Sequence, residues 1–193
     1  MNDAWDALSP AARRERYAWP ESHWCRVNLV LSPDGAVTGS DGTSQSLTSE
    51  HDRELLREIR READLLIVGA ASVRREGLHY PPHGRVALVS RDATRAETSQ
   101  HPERTEVVSL SELGVVIEKS HRVLCEGGPT VVKAIGLLGA IDELCVTLCR
   151  DSDDARWKPQ LPAWLSTVQA HSRWVMASCL MDDSHAFTIW RRG

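Results

Sequence analysis

Three apolar runs in this chain each end in a turn made of small or turn-forming residues. Cys25–Leu31 (CRVNLVL) runs into Ser32-Pro33-Asp34-Gly35. Leu65–Val68 (LLIV) runs into Gly69-Ala70-Ala71-Ser72, and Arg122–Cys125 (RVLC) into Glu126-Gly127-Gly128-Pro129-Thr130. A short run with no polar face, such as LLIV, reads as a strand covered on both sides of its sheet. Helical patterns follow the runs, so strand and helix alternate. Alternation of this kind predicts an α/β fold, a central and mostly parallel sheet with helices on both faces. Ligands in such folds sit at the carboxyl ends of the strands. All three turns fall at such ends, and together they place the expected site.

The remaining elements follow the same rhythm. Thr48 or Ser49 caps a helix from Glu50 to Glu62, with Glu50 and Asp52 as first-turn acids and Leu55, Leu56, Ile59 and Ala63 on one side. Arg85–Ser90 reads as a strand, residues 91–105 as polar loop, Thr105–Leu110 as a short strand and Ser111–Lys119 as a short helix. The helix after Pro129 is expected to reach about Ala140. Glu143–Cys149 is a further strand, and residues 150–172 hold few periodic cues. Trp174–Met181 and Ala186–Arg191, joined by DDSH, read as a closing antiparallel hairpin. At the other end, Ser9-Pro10 opens a short helix that Trp19-Pro20 stops. The expectation is one domain over 1–193, with 1–23 a polar lead-in and 24–193 the core. The seven Trp cluster towards the two ends of the chain, a hint that the terminal segments pack on something.

Composition excludes several function classes. A net charge of −4 gives no basic face for phosphate backbones, so no nucleic-acid partner is expected. No apolar run reaches the roughly 18 residues of a membrane span, and MNDAWDALSP has no secretory pattern. Five cysteines, an odd number lying mostly in apolar runs, suit reduced and buried thiols in a cytoplasmic protein.

Chemistry is carried by the turns. In EGGPT, Gly127 and Gly128 let a backbone approach a ligand closely, Pro129 suits a first helical position, and the helix start favours an anion such as a pyrophosphate. A tight strand-to-helix turn without ligand is the alternative. Gly69 and Ser72 offer a similar small-residue turn, with Arg74 near enough in sequence to meet a phosphate. Its alternative is a helix capped by Ser72. Ser90-Arg91 pairs a hydroxyl with a guanidinium at a third strand end, suited to a phosphate monoester, although it is also ordinary loop composition. There is no G-x-S-x-G and no P-loop. No metal site is expected: His79 and His83 flank a Pro-Pro loop, and Cys145 and Cys149 read as packing residues. The arginines between 53 and 61 read as a solvated helix face, with one of them a candidate for the cleft.

These residues, in this order, resemble a known family. WCRVNLVLSPDGAVTGSDGTSQSLTSEHDRELLREIRREADLLIVGAASVRREG is similar to the opening of the riboflavin-biosynthesis pyrimidine reductase domain, and RVLCEGGPTVVKA with GAIDELCVTL resembles its second signature. The likeness covers roughly residues 17–150. It implies the dihydrofolate-reductase-like fold, with a closing C-terminal hairpin. It also implies NADPH as cofactor, hydride transfer to the ribosyl C1 of a phosphoribosylamino-pyrimidine, and a homodimer. By motif, Ser72 and Glu76 match cofactor positions, Ser90 the adenosine end, and Gly128 to Ala134 the helix start that holds the pyrophosphate. With the residue reading above, the expected cofactor set is Gly69, Ser72, Glu76, Ser90, Arg91, Gly127, Gly128, Pro129, Thr130 and Val131. Ser44, Arg60 and Glu126 match substrate positions, and Asp34 lies in the turn beside the substrate cleft. No general acid is assigned. The departures are SPDG for SLDG, Ser46 where a Trp is common, no counterpart of a phosphate-gripping arginine after Glu76, a short stretch between Ser90 and Arg122, and CRDSDDARWKP after the last signature. They leave an alternative from another class: a member that keeps fold and dimer but serves as a binding or regulatory partner. A folate reductase is the weaker third reading.

Overall fold

A computed structural model describes residues 3–91, 101–150 and 157–193 of the chain. Its nine strands form one sheet. They are β1 (Asp3–Ala4), β2 (Trp24–Leu31), β3 (Leu65–Gly69), β4 (Arg85–Val89), β5 (Thr105–Val108), β6 (Arg122–Cys125), β7 (Glu143–Cys149), β8 (Trp174–Met181) and β9 (His185–Arg192). The order across the sheet is β1-β8-β9-β7-β2-β6-β3-β4-β5. Every pairing from β7 to β5 is parallel, and β9 runs antiparallel to both β7 and β8. The mostly parallel sheet and the closing hairpin are as the sequence predicts.

Helices cover both faces. The first face carries α4 (Leu113–Glu118), α5 (Pro129–Leu137) and the one-turn α6 (Ala163–Ser166), which bury Leu113, Ile117, Val132, Ile135 and Leu165 against Val27, Leu29, Ile67 and Val146. The second carries α1 (Pro10–Arg16) and α2 (Glu50–Arg61), with Leu55 and Ile59 against Leu66, Leu88 and Leu124. Two starts match their sequence signals. Ser9 accepts from Ala12 N–H at 3.2 Å ahead of Pro10, and Ser49 accepts from Asp52 N–H at 3.2 Å. The short α3 (Ala70–Glu76) ends at Gly77, whose φ of +82° breaks the helical path.

Some boundaries differ from the reading of the sequence. The helix after Pro129 stops at Leu137, short of Ala140, and the expected helix at 111–119 is a 3₁₀ turn at Leu110–Glu112 followed by α4. Residues 92–100 of the expected polar loop, and 151–156 of the segment after the last signature, lie outside the described residues. The lead-in differs most. Trp5, Tyr17 and Trp19 are buried, β1 pairs with β8 through Asp3↔Leu180, and α1 lies beside α2. The cause is period-two patterning. On β2 and β7 the residues turned to the second face include four polar ones, Arg26, Asn28, Glu143 and Thr147, interleaved with Val30 and Cys145. Fully buried Arg26 donates to Glu143 at 2.6 Å and to the carbonyls of Tyr17 and Ala18, and its guanidinium lies 4.2 Å from the Trp19 ring centre. The terminal Trp residues pack on the chain's own sheet.

Candidate active site

The three small-residue turns meet where the sheet has a notch. Strand β6 stops at Cys125, which pairs with Val27 on one side and Ile67 on the other. Its neighbours run on, β2 to Leu31 along β7 and β3 to Gly69 along β4. Glu126-Gly127-Gly128 therefore lies in a gap between two longer strands. The helices leave this gap on opposite sides, α2 after β2 on the second face and α5 after β6 on the first. Adjacent parallel strands whose helices part in this way open a crevice at their carboxyl ends.

One flank of the crevice is main chain and small residues. Glu126 N–H donates to Ile67 O at 2.9 Å, which ties the turn to β3. Gly128 is the N-cap of α5 and Pro129 its first residue. A Cβ on Gly127 would stand 2.6 Å from Val131 Cβ, whereas one on Gly128 would meet nothing within 4 Å. Gly127 is thus required by packing, and Gly128 faces open space. Val131 turns its side chain into the core, and its N–H bonds Gly128 O at 2.9 Å; Thr130 is exposed. Gly69, rather than Ser72, is the N-cap of α3, and Ser72 sits half-buried two residues into that helix. Ser90 follows β4, its N–H bonded to Val108 O at 3.0 Å, and Arg91 is exposed.

The other flank is made of paired charges. Glu76, at the end of α3, accepts from both the N–H and the hydroxyl of Ser44, each at 2.8 Å. Arg60 of α2 makes a two-pronged bond to Glu126, Nε to Oε1 at 2.7 Å and Nη2 to Oε2. Ser44 and Glu76, expected on different ligands, are thus joined to one another, and so are Arg60 and Glu126, both expected at the substrate. Asp34 is exposed in its turn, where the Ser32 hydroxyl holds its carboxyl below the usual range. That turn is backed by the chain's later part: Trp164 Nε1 donates to Gly35 O at 3.1 Å, and Gly35 has φ +83°.

Asp52 is a buried acid that the sequence reading placed only as a first-turn acid. It is 4% exposed and lies on the second face over the end of β7. Burial pushes its carboxyl up, against a hydrogen bond from Thr147 and the neighbouring His185, and the charge of Glu126 pushes it further up. The available signal was phase: position 52 is three before Leu55 and seven before Ile59, on the apolar face of α2. A separate open cleft of about 600 Å³ lies between the start of α2 and the β8–β9 turn, lined in part by Trp5, Ser49, His51 and Asp182. The thiols are unreactive by position: burial drives Cys125 up to about 12 and Cys149 to about 11.

Comparison with known proteins fits this geometry. The chain matches the RibD C-terminal domain over residues 23–149. No curated protein matches its sequence. Among solved structures it is similar to a pyrimidine reductase-like protein from Corynebacterium diphtheriae, at 18% identity and TM-score 0.67 over 94% of this chain and 98% of that one. It is also similar to the diaminohydroxyphosphoribosylaminopyrimidine deaminase/5-amino-6-(5-phosphoribosylamino)uracil reductase of Thermotoga maritima, at 15% identity and TM-score 0.65, covering 90% of this chain but 57% of that one. A dihydrofolate reductase from Enterococcus faecalis, solved with NADP(H), aligns at 14% identity and TM-score 0.61 over 88% and 96% of the two chains. The overall fold is thus shared with these structures, and the chain belongs to the RibD C-terminal domain family.

Proposed function

We propose that this protein is an NADPH-dependent reductase that transfers hydride to the ribosyl C1 of a phosphoribosylamino-pyrimidine or a related small substrate. The observation that carries the reading is the notch at Glu126-Gly127-Gly128, open at Gly128 and closed by packing at Gly127. A cradle without side chains, at the start of a nine-residue helix, fits a pyrophosphate. In this reading Gly69, Gly127, Gly128, Pro129, Thr130 and the Val131 main chain approach the cofactor. Ser72 and Glu76 line its path, and Ser90 and Arg91 take the adenosine end. The nicotinamide supplies the hydride. Ser44, Arg60, Glu126 and the turn at Asp34 orient the substrate, and the flanking helices keep water from the reacting carbon. The reading includes a homodimer, which sedimentation analysis tests.

The decisive experiment titrates the purified protein with NADPH and NADH, followed by Trp fluorescence. Micromolar binding with preference for NADPH is expected, and it should be lost in Gly128→Asp. Failure of folded protein to bind either nucleotide would overturn the reading and leave a binding or regulatory member of the family.

A further inference from the structure

Helix α2 is segregated by charge. Arg53, Arg57 and Arg60 stand at i, i+4 and i+7, in one stripe along the helix. Arg60 reaches from this stripe into the crevice and is claimed there by Glu126. Arg53 donates from Nη1 to the Thr48 hydroxyl at 2.9 Å, in the loop that also carries Ser44. Arg57 Nε donates to the carbonyl of Arg53 at 3.2 Å, which turns its side chain back along the helix towards Arg53. Both residues are exposed, and neither has an ion-pair partner among the described residues. The acids of the helix are committed elsewhere. Glu54 meets Arg13 at 3.5 Å and Glu58 meets Arg61 at 2.6 Å, while Glu50 lines the separate cleft and Asp52 is buried.

This arrangement is unfavourable on its own. Like charges at i, i+4 repel, and a guanidinium near the start of a helix opposes the helix dipole. A bound anion relieves both. Arg53 has Nε and Nη2 to offer, and Arg57 both of its Nη atoms. Two planar forks one helical turn apart suit the several oxygens of a phosphate monoester. Arg60 does not offer the same, because Glu126 already holds two of its nitrogens. We propose that Arg53 and Arg57 grip the phosphate of the ligand at the rim of the crevice, and so select a phosphate monoester over the same molecule without its phosphate. The choice of ligand rests on the reductase reading; the unpaired stripe stands without it.

The test is isothermal titration of ribose 5-phosphate, and of ribose, into the intact protein. The buffer is free of phosphate and low in salt, well above the second phosphate pKa of about 6, so that the ligand stays a dianion. Ribose 5-phosphate is expected to bind, and ribose to bind at least about 30-fold more weakly. Arg53→Gln and Arg57→Gln should each weaken the phosphate ligand about tenfold. Both should keep the melting temperature, since the sites are exposed and glutamine is a good helix former. Arg61→Gln removes the same charge from a neighbouring position that Glu58 occupies, and should change affinity less than about twofold. Equal losses in all three variants would overturn the proposal. So would undiminished binding in the Arg53→Gln, Arg57→Gln double variant, or no binding of ribose 5-phosphate by the parent protein. Displacement of ribose 5-phosphate by NADPH would put the phosphate in the cofactor half and overturn it as well. NADPH titrated alone keeps the two readings apart. Nucleotide binding without ribose 5-phosphate binding sinks this proposal alone, and the converse, with the arginine losses, sinks the reductase reading alone.

Discussion

The two flanks of the crevice are built by opposite means. Along β6 and β3 the site is made by leaving side chains out: Gly69, Gly127 and Gly128 expose main chain, and a shortened strand supplies the space. Along α2 and the loop before it, the site is made by filling it with charge, Arg60 on Glu126 and Ser44 on Glu76. The first flank is open as it stands, and the second is occupied by the chain's own charge pairs. One crevice thus combines an empty half and a half filled from within.

Gly128→Asp breaks the empty half most directly. The fold should tolerate it, since the added atoms meet open space and Asp is a good N-cap. A carboxylate at the anion site should cost NADPH affinity on the order of 100-fold, about 2.7 kcal/mol, with an unchanged melting temperature. Gly127→Ala is the counterpart. Its Cβ would lie 2.6 Å from Val131 Cβ, so the loss appears in stability, about 1–3 kcal/mol of overpacking. Thermal melting should show a drop of roughly 2–4 °C per kcal/mol. If both variants lose only stability, the distinction between open and packed glycines fails.

The charged half is sharpened by a double-mutant cycle on Ser44→Ala and Glu76→Gln. Their coupling should be about 0.5–1.5 kcal/mol in chemical denaturation, since the pair bridges the loop and α3. Additive effects would show that the loop is held elsewhere. The smallest effect, and the one with a distinctive sign, is on Asp52. Its folded carboxyl titrates above the unfolded one, so the native state binds the extra proton. The stability this supplies is full below the usual carboxylate pKa of about 3.9 and is lost as pH rises through the folded value. Asp52→Asn should therefore raise the melting temperature near neutral pH and change it little in acid. A gain that is constant with pH would place Asp52 outside any titration.

What the sequence made legible follows from the range of each signal. Apolar runs and turn chemistry are local, so Leu65–Gly69, the Gly35 turn and the closing hairpin are readable from a few residues. The pairing of Arg60 with Glu126 joins positions 66 residues apart, and no local pattern announces it. Asp52 hid behind a true local rule: first-turn acids suit a helix start, and that reading leaves no reason to ask which way the side chain points. Ser72 shows the same hazard reversed, a good capping residue placed inside the helix because Gly69 already ends the strand. The lead-in reads as polar because its arginines are numerous, yet Trp5, Tyr17 and Trp19 decide where it goes.

The pairing of Asp3 with Leu180 carries a consequence for how the molecule is made. β1 is synthesised long before β8 and waits for its strand partner. Arg26 likewise has no Glu143 until most of the chain exists, and Glu143 gains Arg191 only at the end. The nascent chain must hold three aromatic residues and a lone guanidinium in solution while the parallel strands assemble around them. Closure of such distant contacts is slow, so a late docking step is expected in which β1 and the closing hairpin lock onto the sheet together. A ribosome-stalled chain ending before β8 should bind holdase chaperones through Trp5 and Trp19, and release them only when the final hairpin emerges.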